Sequence, residues 1–267
     1  MVKENILRRN NVRITGEGTK VLLFAHGFGC DQNMWRFIVP AYEKEYKVIL
    51  FDYVGCGKSD LSSYNEERYS TLNGYAEDII EICKELDLKN VIFVGHSVSS
   101  MIGVLAYAQA PELFERMILI CPSPRYINDF GYVGGFEKKD LEDLLEVMDS
   151  NYIGWSSFLA PVVMKNPEMP ELTEELQKSF CSIEPRITKK FAEVTFFSDN
   201  RNDLRKINIP TLILQCSDDA IAPDEVGDYV HDNIKDSTLT KMEATGHCPH
   251  MSHPQETIDK MDEFLAK

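Results

Sequence analysis

The chain has 267 residues and a formal net charge of −15, with 43% hydrophobic and 10% aromatic residues. That length suffices for one core plus an insertion, and so negative a surface excludes nucleic acid and anionic membrane as partners, both of which need a positive face. No run reaches the roughly 18 apolar residues of a membrane span, and Met1 to Val12 lacks the apolar centre of a signal peptide.

Apolar, β-branched runs predict strands near 21–25, 48–51, 91–95, 117–121, 211–215 and 237–243, alternating with helical patterns. The first runs into His26-Gly27-Phe28-Gly29, a strand-to-loop turn whose glycines let the backbone approach a site. The second is followed by Asp52-Tyr53-Val54-Gly55-Cys56-Gly57-Lys58-Ser59. A phosphate-binding loop ending in Gly57-Lys58-Ser59 would need glycine at position 52, which is aspartate, so a nucleotide site is excluded. Leu72, Tyr75, Ala76, Ile79, Cys83 and Leu86 then fall at helical spacing and give one apolar face.

The third strand enters Gly95-His96-Ser97-Val98-Ser99, followed by a helix-like run from Ser100. A strand, a sharp turn and a helix around one serine describe a nucleophile elbow, in which strain pushes the hydroxyl out of the turn and the flanking residues must be small. The motif ordinarily ends in glycine. Ser99 adds only a CH2OH group and keeps the position small.

A serine needs a base to accept its proton and a carboxylate to orient that base. The strand at 211–215 leads into Ser217-Asp218-Asp219, and His247 follows the strand at 237–243. Serine, aspartate, histidine is the chain order of the α/β-hydrolases, each residue lying on a loop at the carboxyl end of a strand. Spacing alone leaves the acid open between Asp218 and Asp219, either of which could instead cap its turn. Acyl transfer also needs oxyanion donors, which in such a fold are the backbone N–H groups of Val98 and Phe28.

Between residues 122 and 200 the strand signal stops and helical patterns replace it, punctuated by prolines at 161, 167, 170 and 185. The expected organisation is a hydrolase core in two parts, 1–121 and 201–267, with a helical cap at 122–200 over a mostly parallel sheet. Rings crowd the cap, Phe130 among them. With Phe28 and His96 beside the elbow, the expected lining of a substrate pocket is Tyr126, Phe136, Trp155, Phe158 and Phe196, suited to a small apolar ester or lactone.

His247, His250 and His253 recur every third residue, but Pro249 and Pro254 interrupt any helix and no zincin glutamate accompanies them. No metal or other cofactor is expected, and His250 and His253 are read as loop hydrogen-bonding residues. The seven scattered cysteines contain no C-x-x-C and read as reduced thiols of a cytoplasmic protein. Cys248, beside the base, is the alternative nucleophile to consider.

The segments Gly95 to Gly103, Asp52 to Asp60 and Gly246 to Pro254, with Asn151-Tyr152-Ile153-Gly154-Trp155, resemble the RsbQ family of bacterial α/β-hydrolases. The elbow, with serine in place of the last glycine, is also similar to that of plant karrikin and strigolactone receptors. The resemblance implies a cap over a closed hydrophobic pocket and a triad of Ser97, Asp219 and His247. Asp219 is preferred because related sequences place the acid four residues before a proline, here Pro223. It also implies positive regulation of the sigma-B stress response through a PAS-domain serine phosphatase, against the alternative of a metabolic carboxylesterase or lactonase.

Overall fold

The computed structural model describes residues 5–267; residues 1–4, which open the expected first core segment, lie outside the described residues. Helix α1 (Ile6–Arg9) precedes strand β1 (Arg13–Thr15), β2 (Lys20–Ala25) and β3 (Tyr46–Leu50). Helix α2 (Leu72–Glu85) leads to β4 (Val91–His96), α3 (Val98–Gln109) and β5 (Phe114–Ile120). Four helices follow, α4 (Lys138–Ser150), α5 (Tyr152–Met164), α6 (Pro170–Ser182) and α7 (Pro185–Phe196). The chain then returns to the core through β6 (Thr211–Ser217), α8 (Asp224–Asn233), β7 (Ser237–Thr245), α9 (Pro249–Ser252) and α10 (Pro254–Leu265).

The seven strands form one sheet in the order β1-β3-β2-β4-β5-β6-β7, parallel throughout except for β1. Successive side chains of a strand enter opposite cores. Leu22, Val94, Ile118 and Leu214 pack on one face, Leu23, Phe93, Leu119 and Ile213 on the other. Both faces being covered, the central strands are apolar throughout, as the parallel arrangement requires. Strand β1 was not expected: three residues, Arg-Ile-Thr, at an exposed edge carry no apolar run. Among the described residues no helix is long and apolar enough to cross a membrane.

The four helices α4 to α7 lie between β5 and β6, within the stretch 122–200 where a helical cap is expected. Pro170 and Pro185 each open a helix, where the missing N–H costs nothing, but Pro161 departs from its expected role as a break and lies inside α5. The carbonyl it frees belongs to Ser157, an exposed position where water can replace the lost bond, while Trp155, Leu159, Ala160 and Met164 hold the helix by burial. Phe130, one of the rings of this stretch, is fully exposed.

A buried charge ties the N-terminal segment to α2. Asp78, with no exposed surface, accepts from Arg9 at 3.0 Å, Arg68 at 2.8 Å, Asn10 at 3.2 Å and the Tyr69 hydroxyl at 3.0 Å. Burial raises its pKa, while Arg9 and then Arg68 pull it back down. Asp78→Ala strands these donors, and urea unfolding is expected to lose about 3 kcal/mol. A loss below about 1 kcal/mol would show that Glu81, 2.6 Å from Arg9, carries the anchor instead.

Candidate active site

The turn from β4 to α3 holds Ser97 at φ 57° and ψ −124°, a conformation that a non-glycine residue keeps only when its surroundings impose it. They do so here through two backbone bonds: Ser97 N–H donates to Ile120 O at 2.8 Å, and Ser100 N–H donates to Ser97 O at 2.9 Å. Gly95 has to be glycine, because a Cβ there would meet the Ser99 backbone at 2.8 Å.

Loops after β4, β6 and β7 bring three side chains into line. His247 Nε2 lies 2.7 Å from Ser97 Oγ, and His247 Nδ1 lies 2.7 Å from Asp219 Oδ2. Ser97, Asp219 and His247 are 6%, 7% and 3% exposed. The other oxygen of Asp219 accepts N–H bonds from Ile221 at 2.8 Å and Ala222 at 3.2 Å, so one carboxylate both orients the histidine and caps its own turn. Asp218 does neither; its side chain is 72% exposed and pairs with Lys165 at 2.5 Å.

The base is held from two sides. His247 N–H donates to Val163 O on α5 at 2.9 Å, and His247 O accepts from His96 Nε2 at 2.7 Å. Because a carbonyl can only accept, Nε2 of His96 carries a proton. Burial, followed by the nearness of His250 and His247, keeps the pKa of His96 well below its usual value. His250 is wedged between Trp35 and His96, with ring centroids at 4.7 and 4.4 Å, and burial pushes it down to about 3. Neither ring nitrogen of His250 bonds to the described residues, which corrects its expected role as a loop hydrogen-bonding residue. His253 Nδ1 does meet a hydroxyl, that of Ser252, at 2.9 Å. Two neutral imidazoles beside His247 leave no positive charge to oppose the imidazolium that forms during proton transfer.

The three histidines of the tail do not converge on one point. Donor atoms of His96, Cys248 and His250 do come within 4.8 Å of one another, but burial holds the Cys248 thiol well above its usual pKa and so protonated. The same shift makes it a poor nucleophile. All seven cysteines are free.

The two N–H groups expected to receive an oxyanion belong to Phe28, on the loop after β2, and to Val98, the residue that follows Ser97. No acceptor among the described residues takes the N–H of Phe28 or of Val98, which opens α3. A cavity of about 30 Å³, room for roughly one water, is bounded by Ser97, His247, Phe28, His96, Tyr126 and Phe196. A larger pocket of about 630 Å³ lies beyond it and shares Leu159, Phe196 and Ile221 as a common wall. Of the expected pocket residues, Phe136, Trp155 and Phe158 line this outer pocket and not the cavity over the serine. Helix α5 turns Trp155 and Leu159 inward and leaves Phe158 at the rim, 64% exposed. Phe28 is ringed by Trp155, Phe180, Phe191 and Phe196 of the cap, with centroids 5.6 to 6.3 Å away.

Sequence reasoning missed Asn166, although the cap-to-base junction rests on it. Buried and at φ 52°, it donates to Met164 O at 2.8 Å and Thr245 O at 3.0 Å and accepts from the Thr245 hydroxyl at 3.1 Å. Its only signal is an Asn after Lys165 at a helix end, a common C-terminal stop.

A family model described as "Alpha/beta hydrolase family" matches residues 22–260. The chain is 39% identical to the karrikin insensitive 2 receptor CA of Petunia hybrida over 250 residues, 93% of each chain. It is 36% identical to the strigolactone esterase D14 of Arabidopsis thaliana over 268 residues, the whole of each. Among solved structures, a hydrolase from Oleispira antarctica superimposes with a TM-score of 0.96 at 48% identity, covering 98% of this chain and 97% of that one.

Ser97→Ala is expected to lower kcat on p-nitrophenyl acetate by about 10³ or more while the thermal midpoint stays near wild type. Asp219→Asn should cripple turnover and Asp218→Asn should not; the reverse pattern would move the acid by one residue. Burial lowers the pKa of His26, His96 and His250, so their contribution to stability is complete above about pH 6.5 and is lost as pH falls toward the folded values. Urea unfolding between pH 7.5 and 5.5 should weaken by about 1 kcal/mol per histidine per pH unit below that point, and His250→Phe should remove one histidine's share. A flat profile would contradict the neutral cluster.

Proposed function

The chain belongs to the alpha/beta hydrolase family, and on that premise we propose that it hydrolyses a small apolar ester or lactone and that a partner protein reads the occupied cap. The observation that carries the first half is the line Ser97–His247–Asp219 beneath an apolar cavity closed by cap residues. His247 Nε2 takes the proton as Ser97 Oγ forms the bond to the acyl carbon, and the carbonyl π electrons move to an oxyanion received by the Phe28 and Val98 N–H groups. Collapse expels the alkoxide, which takes the proton from His247. Water, deprotonated by the same ring, then releases the acid and restores Ser97. In a lactone the alkoxide stays tethered to the acyl group.

The small cavity fits the reacting carbonyl, and the outer pocket, with Phe136, Trp155 and Phe158, takes the apolar remainder of the substrate. Leu159, Phe196 and Ile221 line both, so a substrate that fills the two spaces would have to cross that shared wall.

The second half is supported by likeness to a receptor and a strigolactone esterase, by the resemblance to the RsbQ family, and by the cap itself. Phe130, Val133, Val147, Ile153 and Phe158 are all exposed there, an unusual set of large apolar side chains to leave in water. The surface at 122–200 is therefore our contact site for a partner, with a PAS-domain serine phosphatase as the first to test.

Trp155→Ala and Phe136→Ala should raise KM for a bulky aryl ester several-fold while leaving kcat on p-nitrophenyl acetate within about twofold, since a remote contact is lost and not the chemistry. Equal losses on both substrates would remove the outer pocket from substrate binding. Binding of the purified phosphatase is expected to weaken in a Phe130→Ser/Ile153→Ser variant that keeps esterase activity. No binding by wild type, with or without ester, would leave the metabolic esterase.

A further inference from the structure

Position 99 is where the elbow departs from glycine, and its side chain is fully buried. Ser99 Oγ faces two partners, the Tyr53 hydroxyl at 2.9 Å and the carbonyl oxygen of His26. The carbonyl can only accept, so Ser99 spends its one proton there, and the Tyr53 hydroxyl must be the donor to Ser99. Tyr53 closes a ring, since its backbone N–H donates to His26 Nε2 at 3.2 Å. With Nε2 accepting, His26 holds its proton on Nδ1 and donates it to Gly27 O at 2.9 Å. All three residues have no exposed surface, and burial favours the neutral imidazole that this pattern demands.

The last of these bonds ends on the critical peptide. Gly27 C=O and Phe28 N–H belong to one planar unit, with the two groups pointing in opposite directions. Fixing the carbonyl therefore fixes the direction of the N–H. A hydrogen bond to the oxygen also polarises the amide and strengthens its N–H as a donor. Gly27 O receives a second bond from Cys30 N–H at 3.3 Å. The peptide approaches the elbow so closely that a Cβ on Gly27 would stand 2.5 Å from His96 Nδ1. Glycine at 99 would leave the His26 carbonyl and the Tyr53 hydroxyl both buried and short of a partner, the costly way to break such a network.

We propose that Ser99 is a positioning residue for the oxyanion hole: through a closed hydrogen-bonded ring with Tyr53 and His26 it orients the Gly27–Phe28 peptide so that its N–H points at the developing oxyanion. The proposal rests on the serine-hydrolase reading above. It adds a demand that reading does not make, namely that a side chain with no contact to substrate sets the rate of the chemical step and not the affinity for the ester.

The test uses the full-length protein, p-nitrophenyl acetate as substrate and phenylboronic acid as the probe of the tetrahedral state, since boron adds to Ser97 Oγ and places an anionic oxygen in the hole. Ser99→Ala is expected to lower kcat about tenfold, less than outright loss of a donor, with KM within about twofold and the boronate Ki raised by a similar factor to the fall in kcat. Tyr53→Phe, which keeps the ring packing and the Ser99 bond to His26, should show the same coupled shift at smaller size. A fall in the thermal midpoint with kcat and boronate Ki unchanged would overturn the proposal and leave Ser99 a packing residue. Tyr53→Phe decides the question if Ser99→Ala lacks a stable fold, because unchanged kcat and Ki there are equally fatal. A Ser97→Ala protein as active as wild type would instead remove Ser97 as the nucleophile on which the proposal rests, a result distinct from either.

Discussion

The hydrogen bond between His247 Nε2 and Ser97 Oγ, 2.7 Å across residues 150 positions apart, is the constraint that organises this molecule. It forms only if loops after β4 and β7 meet, and it is oriented only if the loop after β6 brings Asp219 to the other ring nitrogen. A parallel sheet achieves this because its strands end at one edge, so every loop that follows a strand starts on the same side. The positive φ of Ser97 is local strain held in place by that sheet through the bond to Ile120 O.

The cap is tied to this arrangement and is not a lid laid over it. The last turn of α5 supplies the acceptor for His247 N–H, and Asn166 fastens the following residues to Thr245. Phe28, the proposed oxyanion donor, has its ring among cap aromatics. A displacement of α5 or α7 would thus be felt by both His247 and Phe28. That coupling is what a signalling hydrolase needs, because a ligand can change a partner's affinity only by favouring one arrangement over another.

Much of this was legible in the sequence, for identifiable reasons. Buried parallel strands are apolar along their whole length, so six of the seven strands announced themselves, and only the short polar edge strand Arg13–Thr15 did not. The elbow was readable because strain there restricts residues to small types at fixed spacing. Spacing alone did not separate Asp218 from Asp219, since neighbouring side chains leave a turn in different directions; the likeness to related sequences chose Asp219, and the bond to His247 agrees. Pockets were harder still. Aromatic content predicted an apolar cap, but whether Phe158 faces inward, outward or the rim depends on the rotation of α5. His250 escaped as well: its burial between Trp35 and His96 joins segments far apart in the chain.

The central claim is that Ser97 is an activated nucleophile. The most direct measurement is peptide mapping by mass spectrometry after exposure to a fluorophosphonate, which reacts with serines made nucleophilic by a neighbouring base. A single adduct on the peptide containing Ser97, lost in His247→Ala, is the result this structure requires. An unmodified protein, or an adduct on another residue that persists without His247, would contradict it.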